Sequence, residues 1–386
     1  MRALFLIPHP EDAASGRLRV LQYLPWLRQH GIQCEARPFM SRALYRTLYQ
    51  PGRLSQKLAL SATALLKRLW DVLRSTRADV VLVHREALPL GTALLERLIA
   101  GAGRPLIFDF DDAIYLEHSS AANRWARMLK RADKISEIVT ASSQVIVGNQ
   151  VLGVYARLYN PRVTVIPTPV DTERFQCRSA LRKAGRVVIG WMGSHTTAGY
   201  LRAVEHPLVT VARRYPEVEF RVVGASPVPL GVPRLRSTAW SLEREQDDLE
   251  DFDIGLMPMP DTAWARGKCG FKALLYMSVG LPVVASPVGV NRDIVQDGLS
   301  GFLATTEQEW IDRLSHLIED RTLRERMGAA GRAIVEREYS LAVHAPRLLG
   351  VLQAAATGHL EVDGSAPEAP AAAEHEPQVL NEAIAR

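Results

Sequence analysis

Two groups of residues in the second half of the chain have the types and spacing of a phosphate-binding site. The first follows an apolar run and precedes a helical one, where backbone amides at a helix N-terminus attract an anion; it consists of Gly193, Ser194, His195, Thr196 and Thr197. The second is a cluster of cations around a glycine, formed by Arg266, Lys268, Gly270 and Lys272. We predict that both groups bind a phosphate group. The plainer interpretations are a capped βα turn and a solvated basic patch.

The spacing of the cations favours the functional interpretation. Lys268 and Lys272 are four residues apart and therefore share one face of a helix. Both fall at the start of the helix predicted over Phe271–Val279, where positive charge opposes the helix dipole. A locally unfavourable arrangement invites a functional explanation, and binding of a phosphate group would supply one.

Charged residues also follow the strands predicted in the first half. Ligands of open α/β sheets bind beyond the carboxyl ends of the strands, so these residues predict a second wall of the same site. They are Gly16, Arg17 and Arg19 after the first strand, His84, Arg85 and Glu86 after the third, and Asp109, Asp111 and Asp112 at the end of the fourth. The alternative is an exposed helix face for the residues after the first strand, a surface loop for those after the third, and a helix-capping cluster for those at the end of the fourth.

Two successive βα series position these residues. Val-, Ile-, Leu- and Phe-rich runs without polar alternation are typical of parallel strands covered on both faces. The predicted strands are Arg2–Ile7, Ile32–Phe39, Ala78–Val83, Pro105–Phe110, Val145–Gly148 and Val163–Pro167, then Val187–Trp191, Glu219–Gly224, Asp253–Met257 and Pro282–Ala285. Predicted helices include Arg17–His30, Leu201–Tyr215, Thr305–Asp320 and Leu323–Tyr339.

The pattern predicts an α/β protein with two doubly wound domains. We place the first domain at residues 1–168 and the second at 169–345, followed by a terminal helix at 346–363. Residues 364–386 are rich in Ala, Pro and Glu, and we expect them to be disordered.

Composition narrows the class of protein. The 386 residues carry a net charge of +5, which suits an anionic small molecule or membrane surface. Without an aromatic-interleaved basic motif, we expect no nucleic-acid partner. Three scattered cysteines suggest a reducing cytoplasm rather than disulfides or zinc, and we expect neither a signal peptide nor a membrane span.

Several strings resemble the family-4 glycosyltransferases. PTPVDTERF (Pro167–Phe175) is similar to the linker between their two domains, and RRYPEVEFRVVG (Arg213–Gly224) to a helix-to-strand step in their nucleotide domain. GLPVVASPVG (Gly280–Gly289) and DGLSGFLA (Asp297–Ala304) are similar to the segments that follow the donor-site helix. In the first half the resemblance depends on βα order and on FDFDD (Phe108–Asp112).

This resemblance implies a GT-B architecture, in which two Rossmann-like domains face each other across a cleft. It implies transfer of a sugar from a nucleotide-diphosphate sugar, the co-substrate, to a hydroxyl of a glycan or lipid-linked acceptor, with retention of configuration, in surface glycan or glycolipid synthesis. We expect no cofactor and no metal. The catalytic candidates are Asp111, Asp112 and Lys272; the two groups in the second half would bind the donor, and Gly16, Arg17, Arg19, His84, Arg85 and Glu86 would lie on the acceptor side.

The chain also departs from the family pattern. The family has two glutamates before its A-M-x-x-G-x-P-V-V segment, and the matching positions here are Gly267 and Leu275. A G-K-C-x-F-K string stands in that region instead. A degenerate, non-catalytic relative, a sugar-nucleotide epimerase and an inverting GT-B enzyme therefore remain alternatives.

One further segment carries a separate hypothesis. Ser41–Trp70 is apolar and bears several Arg and Lys residues, which is the composition of a basic amphipathic surface for anionic lipid. It would place a cytoplasmic protein in peripheral contact with the inner face of a membrane, or make it a membrane-associated scaffold. The alternative is a solvated helix that covers the first sheet.

Overall fold

The computed structural model describes residues 1–48, 50, 52–89, 91–116, 133–177 and 186–358. The tail predicted at 364–386 lies outside the described residues, as does the end of the predicted terminal helix beyond residue 358.

The first sheet contains six parallel strands in the order β2-β1-β3-β4-β5-β6. Its strands are β1 (Arg2–Ile7), β2 (Gln33–Pro38), β3 (Val80–His84), β4 (Leu106–Phe110), β5 (Gln144–Val147) and β6 (Val163–Val165). Successive residues of β1 point to opposite faces, with Phe5 buried against one layer of helices and Leu4 and Leu6 against the other. The apolar runs thus form a sheet that is covered on both sides, as predicted.

The second sheet repeats this arrangement with six parallel strands in the order β12-β11-β10-β7-β8-β9. Its strands are β7 (Val188–Met192), β8 (Glu219–Val223), β9 (Leu235–Thr238), β10 (Ile254–Met257), β11 (Val283–Ala285) and β12 (Gly301–Leu303). The sequence did not predict the two edge strands, β9 and β12. Both are short, and β9 alternates half-buried and exposed residues, so neither carries a continuous apolar run.

Helices cover both sheets. They are α1 (Ala14–Arg19), α2 (Leu24–Gln29), α3 (Arg42–Leu48), α4 (Leu54–Arg74), α5 (Leu94–Gly101), α6 (Lys134–Ala141), α7 (Gln150–Arg157), α8 (His195–Ala198), α9 (Glu205–Arg214), α10 (Glu245–Glu250), α11 (Ala263–Arg266), α12 (Phe271–Ser278), α13 (Asn291–Ile294), α14 (Glu307–Glu319), α15 (Arg321–Ile334) and α16 (Leu341–Thr357). No helix among these described residues is long and apolar enough to cross a membrane.

The continuous helix predicted over Arg17–His30 is wrong. The backbone leaves the helical region at Val20, with φ −130° and ψ −59°, and a short 3₁₀ turn separates α1 from α2. Pro25 sits in the first turn of α2, where its missing N–H is tolerated, but it would interrupt the ladder of one continuous helix.

The last helix returns to the first sheet. Ser340 forms a β-bridge with Val170, and α16 then packs Leu348 and Leu352 against Phe5 and its neighbours. The chain therefore crosses between the two sheets twice, which ties their relative position to two covalent connections.

Candidate active site between the two sheets

A cleft of about 470 Å³ opens where the carboxyl ends of both sets of strands meet. Its walls include eleven of the residues that the sequence selected: Arg17, Arg85, Asp111, Asp112, Gly193, Ser194, Thr196, Thr197, Lys268, Gly270 and Lys272. The cleft is therefore lined by basic and hydroxyl groups on the second-sheet side and by an acidic cluster on the first-sheet side.

Lys272 projects from the first turn of α12 over the face of Trp191. Its Nζ lies 5.5 Å from the ring centroid, and among the described residues it has no ion pair or hydrogen bond. Burial, followed by the charge of Lys268, lowers the pKa of Lys272 to about 8. An ammonium group so poorly compensated favours an anionic ligand at this point.

Gly193 makes this arrangement possible. A Cβ atom on Gly193 would lie 2.6 Å from both Lys272 Cε and the Trp191 ring. Glycine at the end of β7 therefore admits the lysine side chain and leaves the following amides and hydroxyls beside it. Both predicted diphosphate-binding groups thus meet in one place.

The G-K-C string docks on the first-sheet side. Asn149 Nδ2 donates hydrogen bonds to the carbonyl oxygens of Gly267, at 2.9 Å, and Lys268, at 3.2 Å. A Cβ atom on Gly267 would lie 2.7 Å from Ala113 Cβ, and Cys269 Sγ donates to Asp111 O at 3.1 Å. The string that replaces the family's usual residues therefore forms a close contact across the cleft.

Arg85 gathers the acidic cluster. Its guanidinium donates to Asp111 Oδ1 at 2.9 Å and also bonds Asp112, while Lys268 Nζ reaches Asp112 Oδ1 at 3.2 Å from the opposite wall. Burial alone would raise the pKa of Asp111, but the charge of Arg85 outweighs it and holds that pKa well below its usual range. Asp111 is thus an ionised hydrogen-bond acceptor, and Asp112 links the two walls.

Asp109 holds a buried hydrogen-bonded chain behind this cluster. His84 Nδ1 lies 2.6 Å from Asp109 Oδ2, and His84 Nε2 lies 2.7 Å from Ser15 Oγ. The guanidinium of Arg19 also bonds the carboxylate and donates to Ile166 O at 2.7 Å. His84 and Arg19 are buried and outside the cleft lining, so they support the wall rather than face a ligand.

A second link across the cleft involves residues that the sequence did not predict. Arg17 donates to Glu245 Oε1 at 3.3 Å and lies over the ring of Trp240, whose Nε1 donates to the same carboxylate at 3.1 Å. Arg174 donates to the other carboxylate oxygen at 2.9 Å. Trp240 and Glu245 follow the unpredicted strand β9, and no local pattern marked them.

The remaining predicted residues lie outside the cleft lining. Arg266 forms a bidentate pair with Asp261, at 2.6 and 3.0 Å, and Glu86 pairs with Lys134 at 2.8 Å. His195 is exposed at the start of α8, and Gly16 is buried beside Ile7. Within the described ranges, no group of three His, Cys, Asp or Glu side chains is arranged to hold a metal ion.

Residues 186–320 match the model of the family described as Glycosyl transferases group 1. A comparison with curated proteins gave no match. The matched region contains β7 to β12 and the donor-side residues of the cleft, from Gly193 to Lys272.

Solved structures resemble nearly the whole chain. HepE of Anabaena in complex with UDP and glucose is 18% identical, with a TM-score of 0.64, and 92% of this chain aligns with 99% of that one. Sucrose-phosphate synthase from Thermosynechococcus elongatus is 14% identical with a TM-score of 0.66, covering 92% of this chain and 98% of that one. A glycosyltransferase from Rickettsia africae is 12% identical with a TM-score of 0.65, covering 92% and 98%. At these identities the likeness concerns the fold, which is that of the GT-B proteins.

Proposed function

We propose that the chain is a glycosyltransferase that takes its sugar from a nucleotide-diphosphate sugar held at Lys272 and passes it to a hydroxyl acceptor. The match of residues 186–320 to the group 1 model and the GT-B arrangement of the two parallel sheets support this proposal. The observation that carries this proposal is the ammonium of Lys272 beside Gly193 and opposite an acidic cluster, with no ion pair to any residue that the structure describes. One wall thus suits a diphosphate and the other suits a hydroxyl.

The donor would bind with its diphosphate between Lys272 and the segment from Gly193 to Thr197. As the bond between sugar C1 and the phosphate oxygen breaks, negative charge grows on the diphosphate. Lys272 is a fixed cation beside that charge, and the backbone amides of the segment that follows Gly193 would donate to it. Such preorganised electrostatic stabilisation is the largest single source of rate enhancement in many enzymes. Lys268, which pairs with Asp112, would also help to stabilise the negative charge on the diphosphate.

The acceptor would bind on the side of Asp111 and Asp112. Their carboxylate oxygens accept hydrogen bonds and can orient a sugar hydroxyl toward C1. The new bond forms between the acceptor oxygen and C1, and the acceptor's proton passes to the leaving phosphate on the same face. Configuration at C1 is thereby retained, in line with the family resemblance, and no metal or other cofactor takes part.

The pathway and location belong to the same proposal. We infer a role in surface glycan or glycolipid synthesis, with a glycan or lipid-linked acceptor, in the cytoplasm and in contact with the inner face of a membrane. Three free cysteines, of which Cys177 is exposed, support a reducing compartment.

A thermal-shift screen against UDP, GDP, ADP and their sugar conjugates tests donor binding. A ligand at about 100 times its dissociation constant should stabilise the native protein by about 2.7 kcal/mol. Because the pKa of Lys272 is about 8, the ammonium that attracts the diphosphate is lost as the pH rises through that value. We therefore expect the ligand-induced shift to shrink as the pH is raised through about 8. No shift with any nucleotide would favour a degenerate relative.

The anomeric configuration of the product tests the proposed chemistry. With the donor found in the screen, the product formed early in the reaction should have the same configuration at C1 as the donor, as judged by proton NMR. An inverted product would overturn retention and favour the inverting alternative. Conversion of the sugar nucleotide without any acceptor would instead favour an epimerase.

A further inference from the structure

Helix α4 exposes most of its large apolar side chains and buries two of its charged ones. The buried side carries Arg68 and Asp71, and Arg68 Nη2 donates to Ile7 O at 2.9 Å. The outer side carries leucines and a tryptophan, with exposed fractions of 63% for Leu58, 68% for Leu66, 59% for Trp70 and 67% for Leu73. A helix that faces only water has the opposite arrangement, so this face calls for an apolar partner.

The apolar face continues onto the next helix. Leu94 and Leu98 of α5, which packs beside α4, are also more than half exposed. We call the outward side chains of Leu58, Leu66, Trp70, Leu73, Leu94 and Leu98 the α4–α5 surface. Six large exposed apolar groups on two helices that pack together are more than the scattered exposed residues of an ordinary protein surface.

Positive charge surrounds this surface. Residues 53–77 contain six Arg or Lys residues and one acid, Asp71, which is buried. Arg53, Lys67, Arg74 and Arg77 are exposed beside the apolar side chains. A second copy of this chain would bring the same cations together, whereas an anionic bilayer supplies both an apolar interior and opposite charge. Tryptophan at such a boundary is typical of membrane interfaces.

The surface also lies next to the cleft. Helix α3 directly precedes α4, and Tyr45 of α3 lines the cleft. Arg42 of the same helix pairs with Asp12, another lining residue, with Nε 3.2 Å from Oδ1. A molecule anchored in a bilayer that contacts the exposed face of α4 would therefore reach the cleft along α3.

We propose that the α4–α5 surface docks on an anionic lipid bilayer and that the acceptor hydroxyl is carried by a lipid of that bilayer. The second part rests on the proposed sugar transfer, and the first does not. Docking would hold the acceptor wall of the cleft at the membrane while the nucleotide sugar arrives from solution.

Vesicle flotation of the full chain tests the docking. We expect it to float with vesicles of phosphatidylcholine and phosphatidylglycerol, less with phosphatidylcholine alone, and less at high salt, which screens the cations. Replacing Leu66 and Leu73 with glutamine should lower the bound fraction about tenfold or more. The matched control is Leu299→Gln, a leucine that is 51% exposed in the second half of the chain, and it should bind as the wild type does.

Three outcomes would overturn the docking. The first is that the wild type does not float, and the second is that the Leu66→Gln/Leu73→Gln variant floats as well as the wild type does. The third is that, without vesicles, the wild type sediments as a dimer and the variant as a monomer, which would assign the surface to a second copy. An unchanged nucleotide-induced thermal shift in the variant would show that it is folded.

The lipid acceptor has its own test. With the donor identified in the nucleotide screen and a total polar lipid extract, labelled sugar should enter the solvent-extractable fraction. Label that enters only water-soluble glycans would overturn the lipid acceptor while leaving sugar transfer intact. If the wild type binds vesicles but shows no nucleotide-induced thermal shift, the proposed sugar transfer is contradicted and the membrane docking is not.

Discussion

The Lys272→Ala variant should transfer sugar about 100- to 1000-fold more slowly than the wild type, the usual effect of removing one fixed donor from developing charge. The ammonium lies over Trp191 in the cleft, and no described carboxylate pairs with it. Its full charge is therefore available to the diphosphate, and the effect should be largest on kcat because that charge grows in the transition state.

Release of the nucleoside diphosphate from the donor found in the thermal-shift screen would measure this effect. Arg326→Ala, which removes an exposed arginine on α15, is the control for a general loss of positive charge and should retain full activity. Lys268→Ala should have a smaller effect on donor turnover, since Lys268 already pairs with Asp112. A Lys272→Ala enzyme within about tenfold of the wild-type rate would show that the diphosphate binds elsewhere.

The donor wall could be predicted from the sequence because its signals are local. Gly193 and its hydroxyl-bearing neighbours follow a strand directly, and Lys272 lies in the first turn of the helix predicted there. These are relations within one βα unit, which strand and helix periodicity fix before any tertiary contact is known. The two doubly wound sheets could be predicted for the same reason, from continuous apolar runs. The prediction that Lys268 and Lys272 share one face of a helix is wrong, because α11 ends at Arg266 and α12 begins only at Phe271, so Lys268 lies in the turn between them.

The contacts across the cleft could not be predicted in this way. Arg17 and Glu245 are 228 residues apart, and Asn149 and Gly267 are 118 apart, so only the packing of the two halves brings them together. Nothing local distinguishes Glu245 from the other acids of α10. The role of the G-K-C string as a contact between the walls likewise emerges only from the partners of Gly267 and Cys269.

Arg19 illustrates the opposite error. An arginine in the first βα loop is expected to face solvent or ligand, yet its side chain is 2% exposed and bonded to Asp109, 90 residues away. Burial is a property of the folded pair, and neither residue type nor spacing reveals it. The sequence therefore placed a structural residue among the candidates for ligand contact.

This buried pair leads to the second large expected effect. Asp109→Ala should lower the free energy of unfolding of the first domain by about 3–5 kcal/mol, because it leaves the charge of Arg19 buried without its partner. The charge of Arg19 and a hydrogen bond from His84 outweigh the burial that would raise the pKa of Asp109, and they keep that pKa below its usual range. The carboxylate is thus charged in the folded protein at neutral pH, and its removal also frees His84 Nδ1.

Urea unfolding followed by circular dichroism measures the loss. Glu35→Ala removes one partner of an exposed pair with Arg37 and should cost at most about 1 kcal/mol. An Arg19→Met/Asp109→Leu double variant should recover part of the stability, because an apolar pair leaves no uncompensated charge inside. If Asp109→Ala costs no more than Glu35→Ala, water must reach Arg19, and the wall behind the acidic cluster would be open rather than packed. If the double variant recovers stability but not sugar transfer, the chain from Asp109 through His84 to Ser15 positions the acceptor wall in addition to stabilising it.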